Sequence, residues 1–160
     1  MSKLTVIGRA EKANFPEVGI FGVPARVDTG AKTSSVWASG LKIDKKGKLN
    51  FYLFSPNSPY YAERKIRTKT FQETVVANSM GTTERRYKVR LLMRIKGKKI
   101  RGSFTLANRE QQVYPVLVGR NILRGKFVVN VKKGKVLKKA EKARTTKLRS
   151  SYNLKSRVKT

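Results

Sequence analysis

The stretch ARVDTGAKTSSV, residues 25–36, decides how this chain is read. An apolar, strand-like segment runs directly into Asp28-Thr29-Gly30, and Asp28 is one of only two aspartates in the 160 residues. Gly30 permits the positive φ or the close backbone approach that a tight loop needs. Taken alone, the tripeptide is an Asx turn or the N-cap of a short helix through AKTSSV. Whether it is more than that depends on the rest of the chain.

The length suits one domain with a real core and is short for two. With 38 Lys+Arg against 9 Asp+Glu, the formal charge is +29, so the folded chain repels itself and calls for an anionic partner, counter-ions or both. Nucleic acid, an acidic protein segment and an anionic membrane surface all qualify as such a partner. There is no cysteine, which removes disulfides, thiolate metal sites and thiol nucleophiles and fits a reducing compartment. There is no histidine either, which removes Ser-His-Asp and Cys-His catalysis and leaves zinc only carboxylates as ordinary ligands. No apolar run approaches the roughly 18 residues of a membrane span, and MSKLTVIGRAEK is too short and interrupted for a signal peptide. The expectation is a cytoplasmic protein with no membrane partner.

A period of two recurs along the chain more convincingly than a helical one, so the fold class expected is mainly β. LTVIG and VGIFGVPARV read as strands, GLKIDKKGKLNFYLF as a hairpin, SPNSPYY as a turn cluster, and AERKIRTKTFQETVVANSMGTT as one or two weaker strands. The clearest alternation lies in RRYKVRLLMRIKGKKIRGSFTLA: Tyr87, Val89, Leu91, Met93 and Ile95 face one way, Arg86, Lys88, Arg90, Arg94 and Lys96 the other, and Gly97 turns the chain. VYPVLVG is a compact apolar strand. RNILRG then allows one helical turn closed by Gly125, and FVVNV a last strand. From Lys132 the composition changes: residues 132–160 hold 12 Lys+Arg and one acid, with little to build a core from. The expected division is a folded domain over 1–131 and a flexible basic tail over 132–160, with a helix around 136–149 once a partner neutralises it.

Without His or Cys, a hydrolase must use carboxylates, a Ser-Lys pair or a metal held by oxygen. The nine acids are scattered with no metal-ligand spacing. Lys32, Ser34 and Ser35 are close enough in sequence for a Ser-Lys arrangement, but such proximity is common where lysine is so abundant. Asp28 remains, and it has a counterpart: YPVLVGRNIL places a second apolar strand before Gly119-Arg120-Asn121.

VDTGA at 27–31 and VLVGRNIL at 116–123 together resemble the retropepsin-like aspartic proteases. VDTGAKTS (27–34), ERRYKVRL (84–91) and LANREQQVYPVLVGR (106–120) are most similar to a cellular branch associated with ATP-grasp glutamate ligases and often labelled ATP-dependent zinc proteases. The resemblance covers roughly residues 4–131 in order, and two ordered motifs are far more specific than one tripeptide. It implies a closed barrel of one lobe with a short helix after Gly-Arg-Asn. It also implies a catalytic role for Asp28, with Thr29, Gly30 and Ala31 supporting the loop and Gly119, Arg120 and Asn121 beneath it. In such enzymes two facing carboxylates share one proton and one water. This chain carries the motif once, since Asp44 sits in KIDKKGK with no Thr-Gly after it, so the implied active form is a homodimer.

Two positions depart from the family pattern. Lys32 stands where viral members often have an Asp that pairs with the Arg of Gly-Arg-Asn, so Arg120 needs another acid, a carbonyl or the substrate. Trp37 stands where the cellular branch often has histidine. No H-E-x-x-H and no phosphate loop supports the zinc and ATP of the branch's label, so no metal and no cofactor is expected. The link to glutamate-adding ligases suggests an acidic substrate, such as an oligoglutamate segment, drawn to a basic cleft; a flap is expected between positions 44 and 80. A rival reading is an inactive retropepsin-fold module that binds nucleic acid or the ribosome through its basic surface and tail, with Phe51, Tyr52, Phe54, Tyr60 and Tyr61 as stacking candidates.

Overall fold

A computed structural model of the chain describes residues 3–77, 80–134 and 139–158. In chain order its elements are β1 (Thr5–Ile7), β2 (Ala10–Phe15), β3 (Ile20–Val27), β4 (Ser34–Ile43), β5 (Leu49–Leu53), β6 (Lys65–Thr68), β7 (Gln72–Ala77), β8 (Thr83–Ile95), β9 (Lys98–Ala107), β10 (Val116–Val118), α1 (Arg120–Leu123), β11 (Phe127–Val129) and α2 (Lys139–Val158). The mainly β expectation holds.

The longest hairpin is the one the alternation marked. Strands β8 and β9 pair antiparallel from Lys88↔Thr105 to Ile95↔Lys98. Lys96 and Gly97 turn the chain with φ of 48° and 77°, the paired positive φ of a two-residue hairpin whose twist matches its strands. Val89, Leu91, Met93 and Ile95 are buried while Arg90 and Arg94 lie in solvent, so one face of the hairpin is core and the other wet.

Closure is achieved by the shortest core strand. β10 pairs parallel with β3 and antiparallel with β4, while β3 continues to β2, β2 to β8, β8 to β9 and β9, in parallel, back to β4. The ring β10-β3-β2-β8-β9-β4 is thereby a closed barrel, which removes the edges that an open sheet would expose. Phe15 fills its centre, edge-on to Phe54 and Phe104 at centroid distances of 6.2 and 6.1 Å. Outside the ring, β5 and β6 extend from β4, and β7 pairs with the outer half of β8. β1 and β11 form a separate parallel pair.

One strand differs from expectation. AEKANF, not read as a strand, forms β2, because Ala10, Ala13 and Phe15 bury against the barrel although Glu11, Lys12 and Asn14 lower its local preference for strand. The region after SPNSPYY, expected to give one or two strands, supplies two, β6 and β7, on different neighbours. In the basic C-terminal segment α2 covers 139–158, of which the part expected around 139–149 is helical; positions 136–138 lie outside the described residues.

Candidate active site

β3 leaves the barrel at Val27 and the next residues form the loop that carries Asp28. The Asp28 N–H donates to the Val118 carbonyl at 2.9 Å, so the loop begins hydrogen-bonded to β10. Its carboxylate Oδ1 accepts the Gly30 N–H at 2.9 Å, the Asx turn legible in the sequence. Asp28 is half-buried and has no ion-pair partner among the described residues, although the chain is dense in Lys and Arg. Thr29 and Gly30 are exposed beside it and Ala31 is half-buried.

Beneath the loop lies the Gly119-Arg120-Asn121 turn that starts α1. Arg120 N–H donates to the Ala31 carbonyl at 2.8 Å and Asn121 N–H to that of Lys32 at 3.2 Å. Gly119 is needed for the approach itself: a Cβ there would meet the Thr33 and Ala31 carbonyl oxygens at 2.7 and 2.8 Å. The Arg120 guanidinium, deprived of an acid by Lys32, donates to the Thr29 carbonyl at 3.1 Å. Asn121 Oδ1 accepts both the Ser34 N–H at 2.9 Å and the Ser34 hydroxyl at 2.8 Å, and its Nδ2 donates to the Ser103 carbonyl at 2.8 Å. Ser34 Oγ in turn accepts the Gly119 N–H at 2.9 Å.

The sequence-predicted residues Asp28, Thr29, Gly30, Ala31, Gly119, Arg120 and Asn121 are thus brought to one place. Ser34 belongs with them, and the sequence reading raised it only as a nucleophile. Its side chain is fully buried with its hydroxyl committed to Asn121 and Gly119, while Lys32 is exposed, so no Ser-Lys pair exists here. Among the stacking candidates, Phe51 and Phe54 are core residues at 0 % exposure and unavailable to a base; Tyr52, Tyr60 and Tyr61 are half-buried.

The motif LANREQQVYPVLVGR also carries a basic group to which the resemblance assigned no role. Arg109 is half-buried after β9, and its Nε donates to the Tyr114 carbonyl at 2.9 Å. Burial, then the like charges of Arg86 and Arg26, hold its guanidinium below its ordinary range, at about 10. No cluster of acidic side chains able to hold a metal occurs among the described residues, and no described helix is long and apolar enough to cross a membrane.

A closed β-barrel in which one Asp-Thr-Gly loop is braced from below by Gly-Arg-Asn defines a retropepsin-like domain. The family model described as "RimB-like: Retropepsin-like aspartic endopeptidase RimB" matches residues 6–140, and the chain belongs to that family. Among curated relatives it is 28% identical over 129 residues to a probable alpha-L-glutamate ligase of Desulfotalea psychrophila, covering 78% of this chain and 28% of that protein. It is 30% identical over the same length to one of Shewanella pealeana, again covering 78% of this chain and 28% of the relative. The chain thus spans little more than a quarter of the length of the curated relatives it matches. Among solved structures, a Legionella pneumophila protein, Lpg0085, titled as of unknown function, superposes with a TM-score of 0.65 at 23% identity over 82% of this chain and 97% of that one, which shows the shared fold.

Proposed function

We propose that the protein is an aspartic endopeptidase that works as a homodimer, each chain contributing Asp28. The observation that carries this reading is Asp28 itself. In a chain of net charge +29 its half-buried carboxylate is left without a cationic partner among the described residues, on a loop fixed by backbone bonds to Val118 and to the Gly119–Asn121 turn. In the dimer one Asp28 carboxylate takes a proton from a water as its oxygen bonds to the peptide carbonyl carbon. The partner's Asp28, protonated, donates to the carbonyl oxygen. As the gem-diol intermediate collapses, the C–N bond breaks, the leaving nitrogen takes the proton now held by the first Asp28, and one hydroxyl of the intermediate returns its proton to the partner's Asp28, which restores the one-proton dyad. The chemistry needs no metal and no cofactor. Thr29, Gly30 and Ala31 shape the loop; Gly119, Arg120 and Asn121 hold it. The β7–β8 pair serves as the flap.

The apposing surface is the β1–β11 pair. Val6 and Val128 are register partners and remain 46% and 49% exposed, with Leu4 and Val131 exposed nearby, an apolar face that a second copy would cover. The substrate is an acidic, glutamate-rich protein extension, supported by the basic charge of the chain and by the glutamate-ligase names of its relatives. The protein works in the cytoplasm.

One observation favours a second reading, in which the barrel is inactive and binds nucleic acid or the ribosome: Lys139, Lys142, Lys147 and Arg149 are exposed along α2. Asp28→Asn separates the two readings. Assayed on a glutamate-rich peptide by mass spectrometry, the variant of a peptidase loses at least about 10²-fold in turnover while its circular dichroism is unchanged. Equal cleavage by wild type and variant, or no cleavage by wild type, would sink the peptidase reading.

A further inference from the structure

Three arginines far apart in sequence lie within electrostatic reach of one another, since the charges of Arg26 and Arg86 both act on the Arg109 guanidinium. Arg26 precedes Asp28 by two residues on β3, where Ala25 and Val27 are buried and Arg26 is exposed, so Arg26 and Asp28 belong to the same side of the chain. By register Arg26 sits against Leu117 of β10. Arg109 approaches from the segment that leads into β10: its Nε is bound to the carbonyl of Tyr114, three residues before Leu117. Arg86 comes from β8, opposite Thr74 of the β7–β8 hairpin.

The group is over-charged for its surroundings. Arg86 is paired with Glu84 at 3.2 Å, but neither Arg26 nor Arg109 has a carboxylate partner among the described residues. Arg109 uses Nε on Tyr114, and among the described residues its two terminal nitrogens have no partner, which leaves a planar fork of donors. The same burial and like charges that lower the Arg109 guanidinium make this arrangement costly in the free protein. An anion with two oxygens would satisfy the fork and relieve the repulsion together, and a carboxylate matches it bidentately.

We infer that Arg109, with Arg26 and Arg86, forms an acid-binding subsite that receives the side-chain carboxylate of a substrate glutamate next to the scissile bond. The inference deepens the peptidase reading and rests on it for the word substrate, yet it makes a claim about recognition that can be measured without turnover. Within a chain that is basic throughout, it assigns selectivity to three side chains rather than to bulk charge.

The test is binding of fluorescently labelled hexaglutamate and hexaglutamine peptides, by anisotropy at fixed ionic strength, to wild type, Arg109→Gln, Arg109→Lys, Arg26→Gln and Lys99→Gln. Lys99 is exposed on the wet side of the β8–β9 hairpin, opposite Arg94, and controls for the loss of one charge. Wild type should prefer hexaglutamate. Arg109→Gln should weaken hexaglutamate binding at least about tenfold and leave hexaglutamine binding unchanged; Arg109→Lys, which keeps the charge without the fork, should recover part of it. The Arg26 side chain makes no hydrogen bond or ion pair to other described residues and is exposed, so Arg26→Gln keeps the fold and should weaken the same peptide even where Arg109→Gln does not fold. No preference in wild type, unchanged binding by both Gln variants, or an equal loss in Lys99→Gln overturns the subsite. Cleavage by wild type and Asp28→Asn, measured in parallel, reports on the peptidase reading separately.

Discussion

Asn121 joins three pieces of chain through one side chain, and its two amide atoms are both in use. Asn121→Ala leaves the buried Ser34 N–H without its acceptor and frees the Ser103 carbonyl. Its expected cost is about 2–3 kcal/mol in urea unfolding, with turnover lost because the loop above loosens. Gly119→Ala fails differently. Its new methyl meets backbone oxygens that cannot swing away, so Gly119→Ala should cost about 2 kcal/mol or more although its φ of −94° suits alanine. Asp44 is the other aspartate, and its role is structural. Hydrogen bonds from Asn50 and Arg67, helped by the N–H groups of Lys48 and Lys46, hold its carboxyl far below the usual carboxylate range. Because the folded-state value is depressed, its contribution is present above the unfolded value of about 4 and is lost only as pH falls through the lower, folded one. Asp44→Asn should therefore lower the melting temperature at pH 7. The gap to wild type should persist to about pH 4 and close only in stronger acid; a gap unchanged throughout that acid range would refute the assignment.

At the scale of elements, the described contact between α2 and the barrel centres on Arg144. Arg144 lies over the Trp37 ring at 5.6 Å and donates to the Glu110 carbonyl, and a cavity of about 610 Å³ remains between the helix and Pro24, Trp37, Tyr60 and Pro115. Trp37 is the only tryptophan and is 3 % exposed, so all tryptophan fluorescence of the chain comes from the side chain that Arg144 covers. Arg144→Ala removes a cation–π contact of about 1 kcal/mol and should shift that emission to the red and speed trypsin cleavage within 139–158, while the barrel's melting temperature holds. How far such elements could be read beforehand follows from their patterning. β8 and β9 were legible because thirteen and ten residues alternate with little interruption. β2 was not, since its strand character comes from burial of Ala10, Ala13 and Phe15 between neighbours that only the closed ring supplies. The Asp28 loop and its support were legible because their motifs are local and contiguous. The arginine group was not: Arg26, Arg86 and Arg109 come from three separate elements, and in a chain with 38 basic residues no three of them stand out until the barrel brings them together.

For the whole molecule, the net charge of +29 acts on two equilibria with opposite signs. Salt screens repulsion between two like-charged chains and so favours the proposed dimer, but it equally screens their attraction for an acidic peptide. Turnover at low enzyme concentration should therefore rise and then fall as salt increases, whereas affinity for hexaglutamate should only fall. The two limbs can be separated at the β1–β11 face. Val128→Lys places a charge where two apolar faces would meet, on a residue already half in solvent, so the barrel keeps its stability while association is lost. Sedimentation should then show a monomer at every salt concentration, the rising limb of turnover should vanish with the activity itself, and the binding of hexaglutamate to the single lobe should retain its salt dependence. A Val128→Lys variant that is monomeric and still cleaves would mean that one chain suffices, and with a single Asp-Thr-Gly loop per chain the paired-carboxylate mechanism would have to be abandoned.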